Sequence, residues 1–122
     1  MTRILVVTDA DWVRNDVHAA LSVGDNELID QTDPAATAAM AFARDVDVVI
    51  VDLQVGAMGG MAVTRAMKDA GIDSHAIPVV MLLDRGADTF LAGRAGADGW
   101  VVKPFTARQL RDAMTGAIGS AA

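Results

Sequence analysis

The sequence predicts an α/β fold: five strands alternating with five helices, the strands forming one parallel sheet with helices on both faces. Three observations carry that reading. Short β-branched apolar runs recur along the chain, and the strongest, Asp47–Asp52 and Ile77–Leu83, have unbroken apolar middles, the mark of strands buried on both faces. Between the runs lie segments with apolar residues at helical spacing. The connections are short, so right-handed βαβ crossovers set the strands parallel.

Arg3–Thr8 (RILVVT) reads as the first buried strand. Asp11 or a neighbour caps a helix over Trp12–Ser22, with Val13, Val17 and Leu21 on its inner face. Gly24 and Asn26 end that helix, and Glu27–Gln31 (ELIDQ) is a weaker, outer strand. Asp33 and Pro34 start a second helix as N-cap and first residue, running through Ala-rich sequence to Arg44. Asp47–Asp52 (DVVIVD) is the clearest central strand. A Gly-containing loop (QVGAMGG) leads to a helix over Met61–Ala70. Ile77–Leu83 tolerates Pro78 near its start. Ala87–Ala95 is a short helix closed by Gly96, and Gly99–Lys103 (GWVVK) is the last strand. Thr106 caps a final helix to Ile118 with Leu110, Met114 and Ile118 facing inward; Gly119–Ala122 should fray.

A length of 122 residues suits one domain with one hydrophobic core, read here over residues 1–122 without linker, repeat or output domain. The apolar fraction of 52% argues for folding. A net charge of −6 makes direct nucleic-acid binding a poor fit, because phosphate contacts need basic residues. The absence of cysteine excludes disulfides and thiolate metal sites and fits a reducing cytoplasm. The apolar run at Ile4–Val7 is too short for a signal peptide, and no stretch approaches the ~20 apolar residues of a membrane span. The expectation is a soluble cytoplasmic protein.

In an open α/β sheet the site lies beyond the carboxyl ends of the strands, where strand order reverses. The polar residues there are Thr8 and Asp9, Asp52, Asp84 after Leu83, and Lys103 before Pro104. Carboxylates on adjacent strand ends suit a hard divalent cation such as Mg²⁺. A carboxylate can also attack phosphorus, given a cation to neutralise the transferring group. Asp9 and Asp52 could each be turn formers, and Lys103 alone would be an ordinary solvated lysine. Their convergence at one rim favours function.

Ile4-Leu5-Val6-Val7-Thr8-Asp9, Val49-Ile50-Val51-Asp52-Leu53 and Val102-Lys103-Pro104-Phe105 resemble the motifs of bacterial two-component response-regulator receiver domains, and the resemblance spans the chain. It implies a flavodoxin-like, doubly wound (βα)5 sandwich with strand order 2-1-3-4-5. It implies Asp52 as phosphoacceptor in a phosphorelay, not an enzyme, with Mg²⁺ held by Asp9, Asp52 and the Gln54 main-chain carbonyl. Lys103 would bind a phosphoryl oxygen or pair with Asp52. The Lys103–Pro104 bond would be cis, and Trp100 would stand at an aromatic switch position. A sensor histidine kinase or other phosphodonor would act on it. A protein partner would dock on helix 4, strand 5 and helix 5, with Phe90, Arg94, Trp100, Arg108 and Arg111 on that face.

The chain departs from the family at several positions. Thr8 replaces the first of two acids, so Mg²⁺ should bind weakly, with the Thr8 hydroxyl orienting a metal-bound water and Asp11 a lesser compensating acid. Leu83 stands where the family has the Thr or Ser of the switch, and leucine has no donor. Asp84 replaces a small residue; it would repel a phosphoryl group or pair with Lys103 or Arg85. Gly56 replaces a Pro, and Gly59 and Gly60 suggest added loop flexibility. The expectation is an atypical receiver, weakly or unconventionally switched.

Rival readings are a phosphorylation-independent interaction module on the same fold and a haloacid-dehalogenase-like phosphatase with Asp9 as nucleophile and Asp11 as acid. The second lacks the Gly-Thr that should follow, which is Trp12-Val13 here. An FMN site is disfavoured by Asp9 and Asp11, which would repel its phosphate. The methionines at 58, 61, 67 and 81 read as core or loop filler, and His18 and His75 as surface histidines without metal spacing.

Overall fold

The computed structural model describes residues 1–71 and 76–121, Ser120 and Ala121 by backbone alone. His75 lies outside the described residues. The order is β1 (Thr2–Val7), α1 (Asp11–Leu21), β2 (Asn26–Gln31), α2 (Thr37–Ala43), β3 (Val48–Asp52), α3 (Gly60–Ala70), β4 (Val79–Leu83), α4 (Thr89–Ala95), β5 (Gly99–Val102) and α5 (Ala107–Ala121). Short 3-10 turns, Pro34–Ala36 and Gly86–Asp88, precede α2 and α4. All strand pairs are parallel, in the order β2-β1-β3-β4-β5.

Alternation along the central strands divides one sheet between two cores. Val48, Ile50, Val80 and Leu82 pack with Ile4 and Val6 against Val13, Val17 and Leu21 of α1 and Leu110 of α5. Val49, Val51, Val79, Met81 and Leu83 pack on the other face against Val63 and Met67 of α3 and Ala92 of α4. Every residue of β3 and β4 is buried, which accounts for their continuous apolar sequence. Edge strand β2 is only half-buried, as its mixed ELIDQ sequence requires. Of the methionines, 67 and 81 are core, 61 packs at its margin and 58 is exposed.

Local chemistry sets the element ends. Asp33 accepts from the Ala35 N–H at 3.0 Å, and Thr106 and Gln109 form a reciprocal capping box before α5. Three expectations need correction. Asp11 is the first residue of α1, not its cap; Ala10 holds the cap position, and its N–H is already satisfied by Thr8 Oγ1 at 3.1 Å. The last helix is longer than expected: α5 runs past Ile118 to Ala121, because no proline stops it and Gly119 is not among the positive-φ glycines; Ala122 lies outside the described residues.

The third correction concerns the glycines after β3. Gly59 has φ +80°, which favours glycine, but Gly60 is there for contact: a Cβ on it would lie 2.5 Å from the Asp52 carbonyl oxygen and 2.9 Å from Leu53 Cα. Its N–H donates to the Leu53 carbonyl at 2.8 Å. The pair seats α3 against the end of β3, where flexibility had been expected.

A matched pair of substitutions separates packing from helix propensity. Alanine is worth about 1 kcal/mol over glycine inside a helix, and Gly116 in α5 has open space around it. Gly116→Ala should therefore stabilise by up to about 1 kcal/mol. Gly60→Ala should destabilise by about 1–3 kcal/mol, since the clash is with backbone. Denaturant midpoints of the two variants check the opposite signs.

Candidate functional site

Because the strands are parallel, the carboxyl ends of β1, β3, β4 and β5 share one rim, and the order reverses about β1, with β2 on one side and β3 on the other. Asp9 follows β1, Asp52 ends β3, Asp84 follows β4 and Lys103 follows β5. The Lys103–Pro104 peptide bond is cis. Lys103 Nζ lies 2.6 Å from Asp52 Oδ1 and 2.8 Å from Asp84 Oδ1, and its side chain is 8% exposed.

Each carboxylate is fixed from a second direction. Asp52 Oδ2 accepts from the Thr8 hydroxyl at 2.9 Å, and Asp52 Oδ1 accepts also from the Gln54 N–H at 3.3 Å. Asp84 Oδ2 accepts from Gln54 Nε2 at 2.7 Å. Asp9 Oδ2 accepts from the Gly56 N–H at 2.9 Å, a donor that a proline at this position would lack. The Trp12 ring sits 5.7 Å from Lys103 Nζ, within cation–π range. Burial pulls the Lys103 pKa down, but hydrogen bonds and charge from Asp52 and Asp84 outweigh it and raise it above the ordinary 10.5.

The structure thus brings together Asp52, Lys103, Thr8, Gln54 and Asp84, with Asp9 tied to the same rim through the loop after β3. Asp84 takes Lys103 as partner; Arg85 turns to Asp88. Asp11 stays outside, exposed and paired with Arg14. Thr8 is buried and donates directly to Asp52, so its hydroxyl is committed to that bond instead of to a metal-bound water. The site residues that sequence reasoning missed are the Gln54 side chain, the Gly56 N–H and Trp12. Trp12, three residues after Asp9, was the one signal present in the sequence; the other two depend on loop geometry.

Two carboxylates from neighbouring strands and a main-chain carbonyl have the right chemistry for Mg²⁺. Both Asp52 oxygens and one Asp9 oxygen already accept hydrogen bonds. No group of three His, Cys, Asp or Glu among the described residues is arranged to hold an ion. The donor set has the chemistry for a weak site.

Of the two positions expected to act in switching, Leu83 is fully buried within the α3–α4 core. Trp100 is 38% exposed, with its ring close to Gly93 of α4. It lines a surface groove with Val102, Pro104 and Gln109. Phe90 is exposed on α4, with Arg94 5.8 Å over the Phe90 ring. Arg108 pairs with Asp112 on α5, whereas Arg111 reaches across to the Ala20 carbonyl of α1 and so leaves the expected face. His18 pairs with Asp30. No helix among the described residues is long and apolar enough to cross a membrane.

Comparison with known proteins identifies the family and the fold. The family described as response regulator receiver domain matches residues 4–115. The nitrate/nitrite response regulator protein NarP of Escherichia coli is 28% identical over 97% of this chain, which spans 56% of that relative's length. The Vibrio cholerae chemotaxis protein CheY4 superposes with a TM-score of 0.80 at 26% identity, covering 96% of this chain and 98% of that one. The receiver domain of the sensor histidine kinase PA1611 of Pseudomonas aeruginosa, solved with magnesium in its active-site cleft, shares the fold at TM-score 0.82 and 20% identity, covering 97% of this chain and 98% of that one. The chain belongs to the response-regulator receiver domains of two-component signalling.

Proposed function

We propose that the chain is a phosphorelay receiver in which Asp52 accepts a phosphoryl group from a sensor histidine kinase or a small phosphodonor, at a site that charges slowly. The observation that carries this is the 2.6 Å contact between Asp52 Oδ1 and the enclosed Lys103 ammonium. A carboxylate oxygen is an adequate nucleophile toward phosphorus when a cation neutralises the transferring group. Lys103 is that cation, and the residues beside it hold both groups in register. Mg²⁺, when bound, would lie on Asp9, Asp52 and the Gln54 carbonyl and would neutralise the remaining phosphoryl charge. Magnesium in the PA1611 receiver cleft supports this assignment. The cysteine-free composition fits the cytoplasm as the place of action.

Output through the face of α4, β5 and α5 rests on exposed Phe90 and Trp100 beside an open groove, a surface suited to a protein partner. A specific observation favours a second reading. Leu83 is buried and without a donor, so no side chain on β4 can bond a phosphoryl group and draw Trp100 inward. On that reading the domain binds its partner without phosphorylation.

Incubation with Mg²⁺ and acetyl phosphate, followed by intact-mass measurement, distinguishes the two. The expected result is a single phosphoryl adduct on the wild type and none on Asp52→Asn. Absence of adduct at any donor concentration supports the phosphorylation-independent module.

The Lys103 cluster should also give stability a defined pH dependence. A folded-state pKa above 10.5 means that the contribution is complete below that value and is lost as pH rises through the folded pKa. Lys103→Met should lower stability by about 2 kcal/mol near neutral pH, by leaving two carboxylates without their cation. The gap between wild type and variant should narrow as pH rises beyond the ordinary lysine value of 10.5, as read from denaturant midpoints. A constant gap would show that the ammonium charge contributes nothing.

A further inference from the structure

We propose that Asp84 is a resident counter-anion that competes with the incoming phosphoryl group for Lys103 and thereby sets the rate at which the domain is phosphorylated. This rests on Asp52 being the acceptor. One Lys103 proton is directed to Asp52 Oδ1 and another to Asp84 Oδ1, at 2.6 and 2.8 Å. A phosphoryl oxygen placed on the ammonium beside Asp52 meets Asp84 already there, carrying like charge.

Asp84 is fastened in that position. Its other oxygen accepts from Gln54 Nε2 at 2.7 Å, so the carboxylate is held from both sides. The neighbouring cation that might have drawn it away, Arg85, is occupied with Asp88. Asp84 is 30% exposed where Lys103 is 8% exposed, which puts it on the solvent side of the ammonium. A donor approaching from solvent therefore meets a carboxylate before the lysine. An outward swing of Asp84 away from Lys103 would also disturb its bond to the Gln54 side chain.

The covalent step is balanced without Asp84. An Asp52 carboxylate oxygen forms a bond to phosphorus as the P–O bond of acetyl phosphate breaks, and the electron pair leaves with acetate. Lys103 keeps its protons and changes only which anion it faces. Asp84 therefore acts as a gate, and neutralising it should accelerate the step while leaving the acceptor unchanged.

The test compares wild type, Asp84→Asn, Gln54→Leu and Asp52→Asn with acetyl phosphate and Mg²⁺, reading adduct by intact mass against time. Asparagine keeps the size of the side chain and removes its charge. Asp84→Asn should be phosphorylated about tenfold faster or more, the scale set by losing one charge-assisted contact. Gln54→Leu, which frees Asp84 from the other side and keeps the main-chain carbonyl, should accelerate by a smaller factor of about two to five. A second readout needs no phosphoryl transfer. The chain has two lysines, so the Lys103 ammonium is assignable by ¹⁵N NMR, and its protons should exchange with solvent about tenfold faster in Asp84→Asn.

Equal phosphorylation rates in wild type and Asp84→Asn overturn the gate and leave Asp52 as acceptor. Unchanged ammonium exchange overturns it as well, because Asp84 would then not be holding Lys103. No adduct on any variant removes the acceptor assignment and the gate together. Adduct appearing only when Asp84 is neutralised, and absent in Asp52→Asn, is the strongest support.

Discussion

One ammonium group holds the rim of this sheet together. Lys103 comes from the end of β5, Asp52 from the end of β3 and Asp84 from just past β4, so a single cation bridges three strand ends. Without it the buried Asp52 and the partly exposed Asp84 lose their shared cation, which is destabilising because a buried charge is left unpaired. Yet the cluster is a poor way to gain stability, since apolar residues of similar size commonly pack as well or better. The balance points to chemistry as the reason for these residues. The two cores beneath supply the stability and hold the strand ends still.

Much of this was legible in the sequence because strand patterning and strand ends are local properties. Continuous apolar runs marked β3 and β4 as buried on both faces, and the polar residues where such runs stop named Asp9, Asp52, Asp84 and Lys103 before any geometry was known. The partners of those residues were less legible. Asp84 stands next to Arg85 in sequence but pairs with Lys103, because Arg85 lies on the turn leading to α4 and meets Asp88 there. Gln54 was identifiable for its carbonyl, while its side-chain role depends on how the loop after β3 folds back. Gly60 looked like a source of flexibility; only its 2.5 Å approach to the Asp52 carbonyl shows it to be a packing requirement.

The departures from the family pattern make sense together. A carboxylate is missing beside Asp9, where Thr8 stands, and one is gained after β4, where Asp84 stands. The acid count at the rim is thus preserved while one negative charge moves from the cation-binding side of Asp52 to the lysine side. Thr8 compensates locally by donating to Asp52 Oδ2, and Gly56 by donating to Asp9, so each carboxylate remains satisfied by protein groups. A pocket arranged this way is neutralised from within. A divalent ion entering this rim would have to displace bonds that Asp52 and Asp9 already make.

The same shift bears on how a signal leaves. Leu83 lies in the core and offers no hydroxyl to follow a phosphoryl group, so Trp100 cannot be drawn inward by a bond made on β4. The group at the end of β4 that does touch Lys103 is Asp84, one residue further along and at the start of the turn into α4. If Lys103 exchanges Asp84 for another anion, the carboxylate and the Gln54 amide bonded to it must both move, and the backbone they sit on leads directly to α3 and α4. Coupling between two sites requires an element with two arrangements that each site biases differently. On the proposed reading, the Asp84–Gln54 pair would be such an element without a threonine, since Asp84 bonds both Lys103 and Gln54 and is followed by the turn into α4.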